Sequence, residues 1–156
     1  MSLKRVEEYF KKYDMEKRII VLKESSATVE LAALALGCKP ELIAKTLSFK
    51  VDGKAILIVM AGDVKVDNAK YKGFFHTKAT MLTKEELEEM VGHNPGGVCP
   101  FGINDGVSVY LDVSLKRFVN VYPACGSANS AIKLSIEELE KYSNYIEWID
   151  VSKLME

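Results

Sequence analysis

Seven apolar residues in a row, Ala55 to Ala61, do most to limit what this chain can fold into. The run is far short of the ~20 residues that cross a membrane. It is also too uniform for a strand with one wet face, which would alternate. Ile56, Ile58 and Val59 favour extended backbone, so KAILIVMA (54–61) predicts a strand buried on both faces near the middle of a sheet. Asp52-Gly53 lies just before it, and TLSFKV (46–51) lies on the other side. Two such runs around Asp-Gly predict a hairpin with a two-residue turn. The fold is expected to grow around that hairpin.

The remaining chain alternates helical and extended patterns irregularly. Leu3, Val6, Phe10 and Tyr13 share one helical face, and RIIVLK (18–23) reads as a strand. Thr28 can cap the helix VELAALAL, with Gly37 at its left-handed end. Pro40 opens a short helical turn, PELIA, that delivers the chain to Lys45. DNAKYKGFF (67–75) should be a short helix, and Thr83-x-x-Glu86 is a capping box for another that stops at Gly92. The segment 91–105, VGHNPGGVCPFGIND, holds four glycines and two prolines and reads as a loop. VSVYLD (107–112) and RFVNVYP (117–123) read as strands, CGSANSA as a turn, and Ser135-x-x-Glu138 as the cap of a last helix. YIEWIDV closes the chain as a strand. This order lacks the regular strand–helix alternation of a doubly wound fold. It predicts an α+β fold, one domain over residues 1–156, with a mixed, largely antiparallel sheet and surrounding helices.

Composition excludes several function classes. The three cysteines, Cys38, Cys99 and Cys125, form no CxxC pair, which argues against a disulfide framework or a zinc knuckle. The two histidines, His76 and His93, form no H-E-x-x-H, so no metal site and no cofactor are expected. The N-terminus lacks a signal-peptide pattern, which points to the cytoplasm and away from a membrane. The net charge of −1 gives no overall pull towards nucleic acid, but charge is unevenly spread. Residues 45–78 carry seven lysines against Asp52, Asp63 and Asp67, whereas residues 79–156 are acidic. A basic middle can meet a phosphate backbone or simply be a solvated face.

Three segments look specialised. Lys45, between a helical turn and a core strand, could donate to a carbonyl or phosphate oxygen; it also reads as a surface lysine with a buried stem. Gly96-Gly97-Val98-Cys99-Pro100-Phe101-Gly102 could let backbone N–H groups approach developing negative charge, or could be a structural loop. Gly126-Ser127-Ala128-Asn129-Ser130 offers small polar groups, and reads equally as a hairpin turn. Cys99 and His93 raise a cysteine nucleophile as a third, weaker reading, because such partners usually meet through the fold rather than through spacing.

In order, the motifs TVELAALALG, IAKTLSF, ILIVMAGD, GGVCPFG, VYLD-SL and AxGxxxSAIKLSIEEL resemble the YbaK/prolyl-tRNA-synthetase-associated editing domain family, from about residue 18 to the end. The resemblance implies a metal-independent deacylase, free-standing and acting in trans. Its reaction is hydrolysis of the ester between a wrong amino acid and the terminal adenosine of a tRNA. A mischarged tRNA is the implied partner, with an aminoacyl-tRNA synthetase as a further candidate. Lys45 corresponds to the family lysine, Gly96, Gly97, Pro100 and Gly102 to its loop, and Gly126 to its late glycine. Thr46, Val98, Cys99, Phe101, Ser127 and Asn129 are expected around the substrate. Thr46 stands where several relatives carry Asn or Ser, which leaves cysteine, alanine and serine all open as the amino acid removed. The alternative is a module of the same fold that binds tRNA or a synthetase without turnover.

Overall fold

The hairpin forms as its sequence dictates. In the computed structural model, which describes residues 2–155, β2 (Ile43–Val51) and β3 (Lys54–Ala61) pair antiparallel over eight positions. Asp52 and Gly53 take φ of 52° and 75°, the double left-handed turn whose twist matches that of the flanking strands. From Ala55 to Ala61 every residue of β3 is buried.

Helix α1 (Ser2–Lys11) buries Val6 and Phe10, and Tyr13 falls in the turn beyond it. Strand β1 is only Ile20–Val21, shorter than the run 18–23. A 3-10 turn over Glu16–Arg18 precedes it, and its partner β7 (Ser130–Ala131) offers two residues to pair with. Thr28 caps α2 (Val29–Leu36), accepting from the Leu31 N–H, and Gly37 ends it at φ 68°. The turn after Pro40 stops at Leu42, so β2 starts three residues earlier than expected and Lys45 is its third residue.

After β3 come β4 (Val64–Val66), unforeseen from sequence, and α3 (Asn68–Phe75), capped by Asp67. The Thr83–Glu86 capping box forms and opens α4 (Lys84–Glu86), which widens into a π turn over Leu87–Val91. Strand β5 (Ser108–Asp112) leads into a 3-10 stretch over Val113–Arg117. There Arg117 donates to Ser114 O and to Asp63, which delays β6 to Asn120–Pro123. Strand β8 (Leu134–Ser135) enters α5 (Ile136–Ser143), where Ser135 and Glu138 form the second capping box. Of the closing YIEWIDV only Glu147–Ile149 forms a strand, β9, and a further strand, β10 (Ser152–Leu154), follows it.

The main sheet has the order β8-β6-β2-β3-β5-β9. Its β6–β2, β3–β5 and β5–β9 pairings are parallel, and β2–β3 and β6–β8 are antiparallel. Two short antiparallel ribbons, β1–β7 and β4–β10, lie outside it. The architecture is α+β with a mixed sheet, in which the longest ladder is antiparallel. The apolar core follows β3 and takes in Phe10, Tyr71, Phe101, Leu115 and Leu139. A second small cluster joins Ala32 and Ala33 of α2 to Ile43. Among the described residues, no helix is long and apolar enough to cross a membrane.

Candidate functional site

Strands β2 and β6 are paired at only two positions, Ile43↔Tyr122 and Ala44↔Pro123. Beyond Pro123 the chain leaves β2, and its return strand β7 pairs with β1. The β2 edge from Lys45 to Leu47 therefore borders a gap, a cavity of about 300 Å³. Ser26, Ala27, Thr28 and Val29, at the entry to α2, form one wall. Gly96 and Val98 form another, and Tyr122, Ala124, Ser130 and Ala131 a third. Most of these side chains are small, so the space is set by backbone positions rather than by flexible side chains.

Lys45 is the cationic residue of this lining. It is half-buried, and its ammonium donates to the Val64 carbonyl oxygen. Burial pulls its pKa below the usual lysine value, and the Asp63 and Glu30 carboxylates oppose that shift. Asp63 is itself held by a two-pronged contact from Arg117, at 3.0 and 2.5 Å, which keeps its carboxyl below the usual range. That ion pair fixes the corner between β3 and β4, and with it the carbonyl on which Lys45 rests. An ammonium has three donors. Among the described residues, the Val64 oxygen is the hydrogen-bond acceptor found for it. Next along the strand, Thr46 Oγ1 is shielded from solvent and has no hydrogen-bond partner among the described residues.

Of the residues expected at the site, Lys45, Thr46, Gly96 and Val98 line this cavity. The others lie around or behind it. Gly97 is where two loops touch: a Cβ there would stand 2.4 Å from Ser127 N and 2.5 Å from Gly126 C. Gly126, at φ 93°, packs on the first turn of α1, where a Cβ would meet Ser2 O at 2.6 Å. Pro100 and Gly102 border a separate, shallow groove along α1 with Arg5 and Tyr9. Phe101 is fully buried against Phe10, their ring centroids 4.8 Å apart. Ser127 Oγ donates to Asn129 Oδ1 and shares a hydrogen bond with the Ser130 hydroxyl, and Asn129 donates to Leu22 O, so this turn ties down the strand leading to the cavity wall.

Cys99 is fully buried, with its sulfur 3.5 Å from His93 Nε2. Burial pushes its thiol up to about 12, the reverse of what a thiolate nucleophile needs. No group of three His, Cys, Asp or Glu side chains that could hold a metal comes together among the described residues. Sequence reasoning missed the wall from Ser26 to Val29, and also Tyr122; Ser130 closes the small-residue segment it singled out. Thr28 was legible only as a helix cap, and its place at the cavity depends on how α2 docks on β2.

Residues 23–142 match the aminoacyl-tRNA editing domain. The chain belongs to that family. Of similar proteins, the uncharacterized YwhH of Bacillus subtilis is 51% identical over 154 residues, covering 98% of both chains. The proline–tRNA ligase of Bacillus subtilis is 35% identical over 94 residues, which are 60% of this chain and 17% of the ligase. The match therefore spans about one sixth of that enzyme. A crystal structure of a candidate trans-editing enzyme for prolyl-tRNA synthetase superposes with a TM-score of 0.87 at 26% identity, covering 97% of each chain. The editing-domain motifs recognised in the sequence thus belong to a whole fold of that type, and KTL, with the start of the glycine loop, borders its cavity.

Proposed function

We propose that this editing domain is a free-standing aminoacyl-tRNA deacylase acting in trans, and that the cavity beside Lys45 receives the misattached amino acid. The observation that carries the reading is a lysine ammonium bordering a small-walled cavity of about 300 Å³. That is the low end of small-molecule sites, suited to a residue the size of alanine, serine or cysteine, on tRNA(Pro) or another tRNA. In the reaction, a water oxygen adds to the ester carbonyl carbon. The bond to the ribose oxygen then breaks, and that oxygen takes up a proton while the free amino acid leaves. Lys45 holds the ester carbonyl or the neighbouring phosphate and stabilises the tetrahedral oxyanion, and backbone N–H groups near Gly96 add to it. Water is oriented by backbone and by the ribose hydroxyl, so neither a protein base nor a metal is required.

Loss of one preorganised oxyanion donor costs roughly 2.7–4 kcal/mol, so Lys45→Ala should slow deacylation ~100-fold or more. The experiment is a panel of mischarged tRNAs incubated with wild type and variant, following loss of the aminoacyl bond. Equal rates for the two proteins would remove Lys45 from the mechanism. Binding of tRNA with no turnover on any substrate would favour a non-catalytic module instead. The full burial of Cys99, which raises its thiol pKa, speaks against a cysteine hydrolase, and Cys99→Ser should keep full activity.

A further inference from the structure

The β4–β10 ribbon sets two lysines directly opposite each other: Lys65 and Lys153 are register partners. The flanking bonds, Met155 N–H to Asp63 O at 3.0 Å and Asp67 N–H to Val151 O at 2.8 Å, lock that register. Val64 and Ser152 are buried on one side of the ribbon, so both lysines project from the other side, and both are exposed. Like charges placed opposite in an antiparallel pair are destabilising. Among the described residues neither lysine is in an ion pair, whereas the nearby Lys70 is paired with Asp150 at 3.0 Å. Asp67 lies within electrostatic reach of Lys153 and offsets part of its charge, but its carboxylate caps α3 through Ala69 N and Lys70 N and makes no ion pair with that lysine. The ribbon is continuous with the site, because the carbonyl that holds the Lys45 ammonium belongs to Val64, the residue before Lys65.

We infer that the Lys65–Lys153 pair is a phosphate-docking surface on which the backbone of a tRNA acceptor end runs as its terminal adenosine enters the Lys45 cavity. The inference rests on the deacylase reading for the identity of the nucleic acid. Two facing cations without an ion-pair partner lose their mutual repulsion when phosphates settle between or beside them, and bound counterions are released. Such contacts position the nucleic acid without reading its sequence. The ribbon would thus contribute to how a whole tRNA is held, not to which amino acid is removed.

The test compares wild type with Lys65→Ala/Lys153→Ala and with Lys153→Glu. Binding of uncharged tRNA is measured from 50 to 200 mM salt, and deacylation is measured on alanyl-tRNA and on 3′-alanyl-adenosine, which lacks the acceptor phosphates. The double variant should flatten the slope of log K against log salt by about two and weaken binding about tenfold. Its kcat/KM should fall on alanyl-tRNA and stay at the wild-type value on alanyl-adenosine. Lys153→Glu should raise Tm, by replacing a like-charge pair with an opposite one, while weakening tRNA binding. An unchanged salt slope, or an equal loss on both substrates, overturns the surface. A wild type that binds tRNA with a slope dependent on these lysines, yet hydrolyses no alanyl, seryl or cysteinyl ester across the panel of mischarged tRNAs, overturns the deacylase reading and leaves the surface standing. Unchanged slopes with intact hydrolysis do the opposite.

Discussion

Thr46 and Lys45 stand side by side on β2, and each carries a local cost that packing leaves in place. Lys45 gives up part of its hydration, which lowers its pKa. Thr46 keeps a hydroxyl out of water with no partner among the described residues, a penalty of about 1–3 kcal/mol for a buried polar group. Residues that keep such costs beside a cavity are candidates for contact with a ligand. Thr46→Val should therefore raise stability by up to ~1 kcal/mol, since it removes a hydroxyl without a partner; urea unfolding of the two proteins checks this.

At the scale of elements, the cavity depends on loops that hold two helices and two strand ends in place. Gly97→Ala puts a Cβ into the backbone of Gly126 and Ser127, and neither chain can yield as a flexible side-chain tip could. The loss should be at least about 1–3 kcal/mol, the usual cost of overpacking, seen as a lower Tm. Helix α5 has its own pH dependence. Arg18 bonds Glu138 at 2.6 and 3.0 Å, and Ser135 N–H also donates to that carboxylate, which together hold it at about 2. A carboxyl whose folded pKa lies below its unfolded 4.5 stabilises fully above that value, and the contribution fades as pH falls towards about 2. Solvent screening keeps the pair to about 1 kcal/mol or less. Glu138→Gln retains an acceptor for the capping box but loses the charge. Its stability deficit at pH 7 should therefore shrink between pH 5 and 2, as followed by denaturant titrations at each pH.

Across the whole molecule, the buried carboxylate of Asp112 joins the end of β5 to the C-terminal segment. It accepts from Ser114 N at 3.0 Å, Val151 N at 2.9 Å and Ser152 Oγ at 2.6 Å. Through Ser114, whose Oγ accepts from Ala61 N, the same network reaches the end of β3. Asp112→Ala strands these donors in the core and should cost about 3 kcal/mol or more. It should also loosen β10 against β4, so that amide exchange rises at Lys65 and Lys153 before it rises in β3. Global unfolding with no preferential exchange in that ribbon would show that Asp112 supports the core as a whole instead.

Local signals settled the hairpin at Asp52-Gly53, the buried β3, the caps at Thr28, Thr83 and Ser135, and the glycine ends of α2 and the helix before Gly92. Each depends on backbone geometry or burial within a few residues. The ordered motifs were enough to recognise the editing-domain family. Only the tertiary structure decided what lies beside Lys45. The gap between β2 and β6, the wall at Ser26 to Val29 and the carbonyl of Val64 all come from segments distant in sequence, whose approach no local pattern encodes. The same holds for the glycine loop. Its composition marks it as special, yet only packing separates Gly96 and Val98, at the cavity, from Gly97, Phe101 and Gly102, which face other backbone or the core. Strand β4 and the opposition of Lys65 to Lys153 were likewise hidden, because register between two three-residue strands is set by the chain that surrounds them.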